Sequence, residues 1–324
     1  MIKANAYGHG LVRAARALSA ADGFALLELD AAVRLREGGF SQRIALLEGF
    51  FEPSELEVIA QHRIITAVHS MEQLRMLEAA PPRTPIDVLL KVNTGMNRLG
   101  VEPREFSLAL ARLRAHQRVA SITLMTHFAN ADEAVGIASQ IACFERLAAD
   151  ENLPRSLANS ATVLRYPEAH ADWVRPGIML YGCSPFSGRV GADSGLRPAM
   201  TLESEIISVR TLAGGDAVGY GSAYVADHTI RVGIVACGYA DGYPRHAPTG
   251  TPVLVGDRLT RTLGRVSMDM LCVDLDKNEN ARVGTRVVLW GEGNPVERVA
   301  EFAGTVGYEL LCALAPRVLI VEKP

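Results

Sequence analysis

The chain has 324 residues, a formal net charge of −3 and no block of basic residues. This length allows a large core and favours two domains, and the charge disfavours nucleic acids and anionic membranes as partners. The five cysteines are scattered, without a CxxC pair or a Cys/His cluster, so we predict neither disulfides nor a metal site. No apolar run could span a bilayer and no signal peptide opens the chain, so we predict a cytoplasmic protein.

The first part of the chain alternates short apolar runs with segments of helical periodicity. The strand-like runs lie at 1–2, 24–27, 44–47, 64–67, 86–92, 121–126, 155–158 and 173–180. The helical segments lie at 11–18, 30–36, 53–60, 70–77, 103–116 and 136–149. Strands that are continuously apolar are buried on both faces, as in a parallel sheet.

Eight strands alternating with helices predict an α/β fold, a TIM-like (β/α)8 barrel over residues 1–198. An open doubly wound sheet is the alternative, which the lack of a G-x-G-x-x-G fingerprint disfavours. A strand typically needs about five residues, and only Met1 and Ile2 precede Lys3. We therefore predict that the first strand is largely missing and hypothesise that the chain begins at an internal Met of a longer protein.

Residues 199–324 have a different pattern. Short β-rich runs separated by glycine turns lie at 202–209, 229–235, 251–255, 270–275 and 286–290, and one late helix is indicated at 296–303. This pattern predicts a mostly β C-terminal domain.

Lys3 stands where an extended segment stops and a glycine-punctuated turn begins. In α/β folds, this edge of the sheet collects binding and catalytic groups. A lysine in a partly dry site can act as a nucleophile. The structural alternative is an exposed lysine beside a flexible turn.

Residues with polar side chains, and a glycine step with free backbone N–H groups, also follow the later strands of the predicted barrel. They are Lys91 and Arg98 after the fifth strand, His127 after the sixth, Asn159 and Ser160 after the seventh, and Arg175, Gly177 and Ile178 at the eighth. Such a set suits a phosphorylated aromatic aldehyde, with the phosphate held after strands seven and eight. Taken singly, His127 could be a structural histidine, Ser160 a helix cap and Arg175 part of an ion pair.

The octapeptide from Lys3 to Gly10 resembles the cofactor-lysine motif of alanine racemases, which hold pyridoxal 5′-phosphate (PLP) as a Schiff base on that lysine. Further blocks resemble this family in matching order as far as Arg317. They include the segments around Tyr220, Tyr239, Met268 and Tyr308.

The resemblance implies that Lys3 and Tyr220 of the partner subunit are the two acid/base groups. It implies PLP contacts from Lys3, Tyr7, His127, Asn159, Ser160, Arg175, Gly177, Ile178 and Tyr308. It implies substrate contacts from Arg98, Tyr239 and Met268, and a lysine at position 91 that is often carbamylated in the family. It also implies a head-to-tail homodimer with shared active sites.

The sequence therefore predicts PLP-dependent racemisation of L-alanine and D-alanine by a two-base mechanism. A decarboxylase of the same fold class is disfavoured by Arg175 and Tyr220, because those enzymes usually place an acid at the pyridine nitrogen. A PLP-binding protein without turnover and an inactive, N-terminally truncated fragment are the remaining alternatives.

Overall fold

The computed structural model describes residues 1–323. The chain divides into two compact units. The first comprises Met1–Gly177 with Pro185–Ser187, and the second comprises Ile178–Ser184 with the chain from Gly188 onward.

The first unit contains six parallel strands that alternate with helices. The strands are β1 (Gly23–Leu26), β2 (Arg43–Leu46), β3 (Ile65–Val68), β4 (Ile86–Lys91), β5 (Val119–Met125) and β6 (Arg155–Ser156). They pair in the order β1-β2-β3-β4-β5-β6. The helices between and after them are α3 (Leu29–Glu37), α4 (Glu55–Gln61), α5 (Met71–Ala79), α6 (Phe106–Ala115), α7 (Ala138–Leu147) and α8 (Ser160–Arg165). The prediction of an α/β barrel-type unit is confirmed as a curled half-barrel.

The two end strands predicted for the barrel are reduced to a few isolated backbone hydrogen bonds, which beside β6 include Trp173 N to Arg155 O at 3.1 Å and Arg175 N to Ala158 O at 2.8 Å. Ile2 N donates to Ala25 O at 3.0 Å beside β1, and Trp173 forms an isolated parallel bridge to Ser156 beside β6. The prediction of a regular strand at 173–180 is wrong. Pro176 has no N–H to donate to a ladder, and residues Ile178–Tyr181 turn into a 3₁₀ helix.

The chain directly after Ile2 winds left-handed. In the short element α1 (Lys3–Tyr7), the φ angles of residues 4 to 7 are 51°, 52°, 55° and 52°. This conformation costs an L residue about 1–2 kcal/mol. The turn is closed by Ala6 N donating to Ile2 O at 3.0 Å, and α2 (Leu11–Ala17) begins where Leu11 N donates to Asn5 Oδ1 at 2.9 Å. Backbone strain therefore lies immediately beside Lys3, as it often does at functional sites.

The second unit is built on a closed antiparallel barrel, which confirms the prediction of a mostly β C-terminal domain. Its strands are β7 (Leu202–Leu212), β10 (Ile230–Val235), β11 (Pro252–Val255), β12 (Arg258–Leu263), β13 (Leu271–Asp274) and β14 (Arg286–Trp290), closed in the order β10-β13-β12-β11-β14-β7. A hairpin of β8 (Ala217–Val218) and β9 (Tyr224–Val225) lies outside the barrel. Helices α9 (Val296–Phe302) and α10 (Gly307–Cys312) follow, the first where a late helix is predicted. Within residues 1–323, every helix is too short or too polar to traverse a lipid bilayer.

Candidate active site

Two hydroxyl groups and a backbone amide meet at Gly177 in the first unit. Ser160, the first residue of α8, is buried, and its Oγ accepts a hydrogen bond from Gly177 N at 2.7 Å. A Cβ placed on Gly177 would lie 2.6 Å from the hydroxyl oxygen of Tyr7. A side chain at this position would therefore displace the Tyr7 hydroxyl. The three groups form a cradle of donors of the kind that binds a phosphate.

Asn159, and not Ser160, caps α8. Its Oδ1 accepts from Thr162 N at 3.0 Å and from Thr162 Oγ1 at 2.9 Å, and its Nδ2 donates to Phe128 O at 3.3 Å. The structural alternative for Ser160 is therefore wrong, because the residue before it serves as the cap and leaves the serine hydroxyl directed at Gly177. Asn159 positions Ser160, and its predicted contact with the cofactor stays a prediction.

Arg175 is 8% exposed and is held by uncharged acceptors. One terminal nitrogen donates to Ser156 Oγ at 2.7 Å, and the other donates to Thr126 O at 2.8 Å and Leu157 O at 3.2 Å. Within residues 1–323 no carboxylate forms an ion pair with it, which removes the structural alternative for this residue. Burial lowers the pKa of Arg175 to about 10, so the group remains a cationic donor at neutral pH.

His127 follows β5 and lies beside Arg175, with 3.4 Å between His127 Nδ1 and the arginine NH2. Burial, and then the charges of Arg175 and Arg98, lower the pKa of His127 to about 3. The imidazole is therefore neutral at physiological pH. A neutral ring can stack on an aromatic cofactor without adding to the positive charge of the site.

Lys91 is the last residue of β4 and its side chain is buried. Burial, and then the charges of Arg98 and Arg175, lower its pKa to about 8. The charge of Glu48 opposes this shift. The pKa of His69 is lowered by the charge of Lys91 and raised by that of Glu48. The charge of Lys3 also lowers the pKa of Lys91 and of His127, so these three residues are near enough to interact electrostatically.

The loop that carries Arg98 folds back on β4 through one buried asparagine. Asn93 Oδ1 accepts from Gly95 N at 3.1 Å and from Asn97 N at 3.0 Å. Asn93 Nδ2 donates to Asn97 Oδ1 at 2.9 Å and to Glu102 Oε1 at 3.0 Å. Arg98 itself is exposed, so the loop presents its guanidinium to solvent.

In the second unit, Tyr220 stands on a tight turn and is 70% exposed. The glycines on either side have φ angles of 69° and 68°, the left-handed region that glycine enters without strain. The ring is thus displayed away from the barrel core. An exposed tyrosine in this setting can act on a site that another molecule provides.

The loops of Tyr239 and Met268 are joined in the second unit. Tyr239 N donates to Ser267 O at 3.1 Å and Ala240 N donates to Met268 O at 2.9 Å. Arg317 pairs with Asp241 at 2.7 Å and with Asp269 at 2.7 Å, which ties the same two loops together. Tyr239 and Met268 are both exposed beside this junction.

The other two predicted site residues of the second unit lie on short helical elements. Tyr308 is exposed on α10, and Ile178 begins the 3₁₀ turn that directly follows Gly177. Their predicted contacts with PLP stay predictions.

Several polar residues around the site escaped the sequence analysis. They are Glu48, His69, Asn93, Thr94, Thr126, Gln140 and Ser156. Buried polar side chains at strand ends and early helical positions are the signal that could have found them, because such groups need hydrogen-bond partners.

The residues present fit PLP. The cradle around Gly177 would supply donors for the phosphate, Arg175 would supply a donor for the ring nitrogen, and Lys3 would supply an amine for the aldehyde. The combination is specific because a phosphate donor set, a buried cation and an amine occur in one unit at neighbouring strand ends.

The chain is similar to known alanine racemases over nearly its whole length. The family model described as alanine racemase, N-terminal domain, matches residues 1–185, and that described as alanine racemase, C-terminal domain, matches residues 199–321. An alanine racemase of Nitrosospira multiformis is 63% identical over 98% of this chain and 90% of its own length. One from Burkholderia mallei is 58% identical over 98% of this chain and 90% of its own length.

Solved structures agree with the curated relatives. The biosynthetic alanine racemase from Pseudomonas aeruginosa has a TM-score of 0.95 and 48% identity, covering 98% of this chain and 89% of that one. The alanine racemase from Acinetobacter baumannii has a TM-score of 0.91 and 38% identity, covering 98% of this chain and 90% of that one.

Proposed function

The chain belongs to the alanine racemase family, and we propose that it interconverts L-alanine and D-alanine with bound PLP. The observation that carries the proposal is the phosphate cradle of Tyr7, Ser160 and Gly177 in the same unit as Lys3 and Arg175. When bound, PLP joins the substrate amine and withdraws electrons from the α-carbon, which acidifies the α-C–H bond. No comparison supports the alternative of an inactive fragment.

Inversion of a stereocentre needs a base on one face and an acid on the other. We assign these roles to the Nζ of Lys3 and the hydroxyl of Tyr220, which exchange roles with the direction of the reaction. Tyr220 is exposed on its own unit, which supports its use by a second copy of the chain. The active molecule is then a homodimer with shared sites, and we place it in the cytoplasm.

Arg175 tunes the reaction because its guanidinium group stays protonated. Three neutral acceptors hold its guanidinium, and a pKa of about 10 keeps it protonated. It can donate to the ring nitrogen of PLP but cannot transfer a full proton to it. The ring is then a weaker electron sink than a pyridinium. This limits side reactions such as transamination.

We assign the orientation of the substrate to Arg98, Tyr239 and Met268. The Arg98 guanidinium pairs with the substrate carboxylate or the phenolic oxygen of PLP. Tyr239 and Met268 line the entrance, and their joined loops keep that entrance rigid.

Lys91 is proposed to carry a carbamate. An amine whose pKa falls to about 8 is partly neutral at physiological pH, and the neutral amine is the form that reacts with carbon dioxide. The product is an anion, which would relieve repulsion from Arg98 and orient it. With ¹³C-bicarbonate, we expect a carbamate carbon signal in the wild type that Lys91→Arg lacks. An identical spectrum for both proteins would reject the modification.

The racemase reaction is tested with the PLP-loaded chain and L-alanine in D2O. We expect loss of the α-proton signal together with formation of D-alanine, and neither in Lys3→Ala. Exchange without D-alanine would mean that one face alone works. The absence of both, with PLP bound, would favour a binding protein without turnover.

A further inference from the structure

A buried glutamine on α7 connects two strand-end loops behind the candidate site. Gln140 is the third residue of that helix and is 4% exposed. Its Oε1 accepts from Ala129 N at 2.7 Å, and its Nε2 donates to His127 O at 3.2 Å and to Thr94 Oγ1 at 3.2 Å. One amide group thus joins the loop after β4 to the loop after β5.

The loop after β5 is held at each successive residue. Thr126 O accepts from Arg175, and Thr126 Oγ1 lies 2.8 Å from Thr94 Oγ1 and donates to Val92 O at 3.0 Å. Gln140 then binds the carbonyl of His127 and the N–H of the residue two positions later. The backbone on both sides of the His127 ring is therefore fixed.

A primary amide is suited to this task because it offers an acceptor and two donors at one end of a neutral side chain. An apolar side chain of similar length would leave one N–H and one carbonyl unpaired in a buried place. The His127 loop would then relax to find other partners. The His127 ring and the Arg175 nitrogen 3.4 Å from it would move with that loop.

We infer that Gln140 is a positioning residue: by clamping the backbone around His127, it sets the ring and the adjoining Arg175 against the PLP ring. The inference rests on the proposed function for the identity of the cofactor. It assigns a role to a residue whose side-chain amide is hydrogen-bonded to the protein's own loops.

The chain provides a matched control in Gln73. This residue is also the third of its helix, α5, and also 4% exposed. Its Oε1 accepts from His69 N at 2.9 Å, and its Nε2 donates to Glu48 O at 3.1 Å and Phe50 O at 2.9 Å. It makes the same kind of clamp at the ends of β2 and β3, and its side chain forms no hydrogen bond with the His127 loop.

The test compares Gln140→Met and Gln73→Met in the PLP-loaded protein. We expect both to lower the thermal midpoint by similar amounts. Gln140→Met alone should weaken PLP binding about tenfold and shift the ¹⁵N signals of the His127 ring. The milder Thr94→Val, which removes one contact of Gln140 and the hydrogen bond to Thr126 Oγ1 in the same loop, should change both readouts in the same direction and to a smaller extent.

Equal PLP affinity and an unchanged His127 spectrum in Gln140→Met, at a lowered midpoint, would overturn the inference and leave Gln140 a stability residue. The same changes in Gln73→Met would also overturn it. If Gln140→Met does not fold, the same readouts on Thr94→Val decide the question. Wild-type protein that binds PLP without racemising alanine would instead refute the proposed function, and the clamp would still be decided by affinity and the histidine spectrum.

Discussion

The charge state of His127 depends on where the fold places it. A histidine in water has a pKa of about 6.5, whereas burial and the neighbouring arginines lower that of His127 to about 3. The unfolded chain therefore binds a proton at this residue over a pH range in which the folded chain does not. Folding stability must then fall as the pH drops from 6.5 towards 3.

Replacing His127 should make the folding stability less dependent on pH. We expect the wild type to lose about 2 kcal/mol more unfolding free energy than His127→Gln between about pH 6 and pH 4. Chemical denaturation of both proteins without cofactor measures the difference. Equal losses would mean that the pKa of His127 is the same in the folded and the unfolded chain.

A substitution of Gly177 tests the phosphate cradle, because it adds side-chain volume without changing charge or polarity. A Cβ at this position would lie 2.6 Å from the Tyr7 hydroxyl, so Gly177→Ala should cost about 1–3 kcal/mol of stability. It should also weaken PLP binding, because the added methyl group occupies space between the donors. The double variant Tyr7→Phe with Gly177→Ala should recover stability without recovering affinity. Unfolding and PLP titrations check both, and an unaffected Gly177→Ala protein would contradict the cradle.

At the scale of elements, the left-handed turn α1 sets the direction of Lys3. Four successive residues without glycine adopt φ angles near 50°, so the turn is maintained by its hydrogen bonds and by the surrounding unit. Ala4 is exposed within it. A substitution there changes backbone preference with little effect on packing.

We expect Ala4→Gly to raise the free energy of unfolding by about 0.5 kcal/mol, because glycine accepts the left-handed region. Ala4→Val should lower it by about 2 kcal/mol, because a β-branched residue is an outlier there. Ala111, exposed in the right-handed helix α6, is the control. Ala111→Gly should lower the unfolding free energy by about 1 kcal/mol. The same sign for Ala4→Gly and Ala111→Gly would contradict the left-handed assignment.

At the scale of the whole molecule, the two proposed acid/base groups belong to different units of the chain. Lys3 lies in the half-barrel unit and Tyr220 in the β unit, where 70% of its side chain is exposed. A site completed by a second copy would make activity a property of the dimer. Complementation between two inactive variants tests this without assuming a geometry.

Lys3→Ala and Tyr220→Phe should each be nearly inactive alone. If Tyr220 serves the other copy, mixed dimers contain one complete site, and an equal mixture should recover about a quarter of wild-type activity. Racemase assays after co-expression or mixed refolding measure the recovery. No recovery, with mixed dimers shown by mass spectrometry, would place both groups in one chain's own site.

The sequence by itself determined the fold class, the mostly β second unit and the family. Continuous apolar strands, short β runs between glycine turns and the octapeptide from Lys3 to Gly10 are local patterns that can be read along the chain. It also placed Lys3, Lys91, His127 and Arg175 at converging strand ends. Parallel strands order their carboxyl ends along one edge whatever the helices between them contain.

Only the tertiary structure decided how those residues are held. The direction of the Ser160 hydroxyl depends on Gly177, which lies 17 positions further along the chain. The pKa of His127 depends on burial and on charges from other strand ends. The same is true of Gln140, whose partners lie 11, 13 and 46 positions away. Hydrogen-bond partners and desolvation are properties of neighbours in space, and no local periodicity records them.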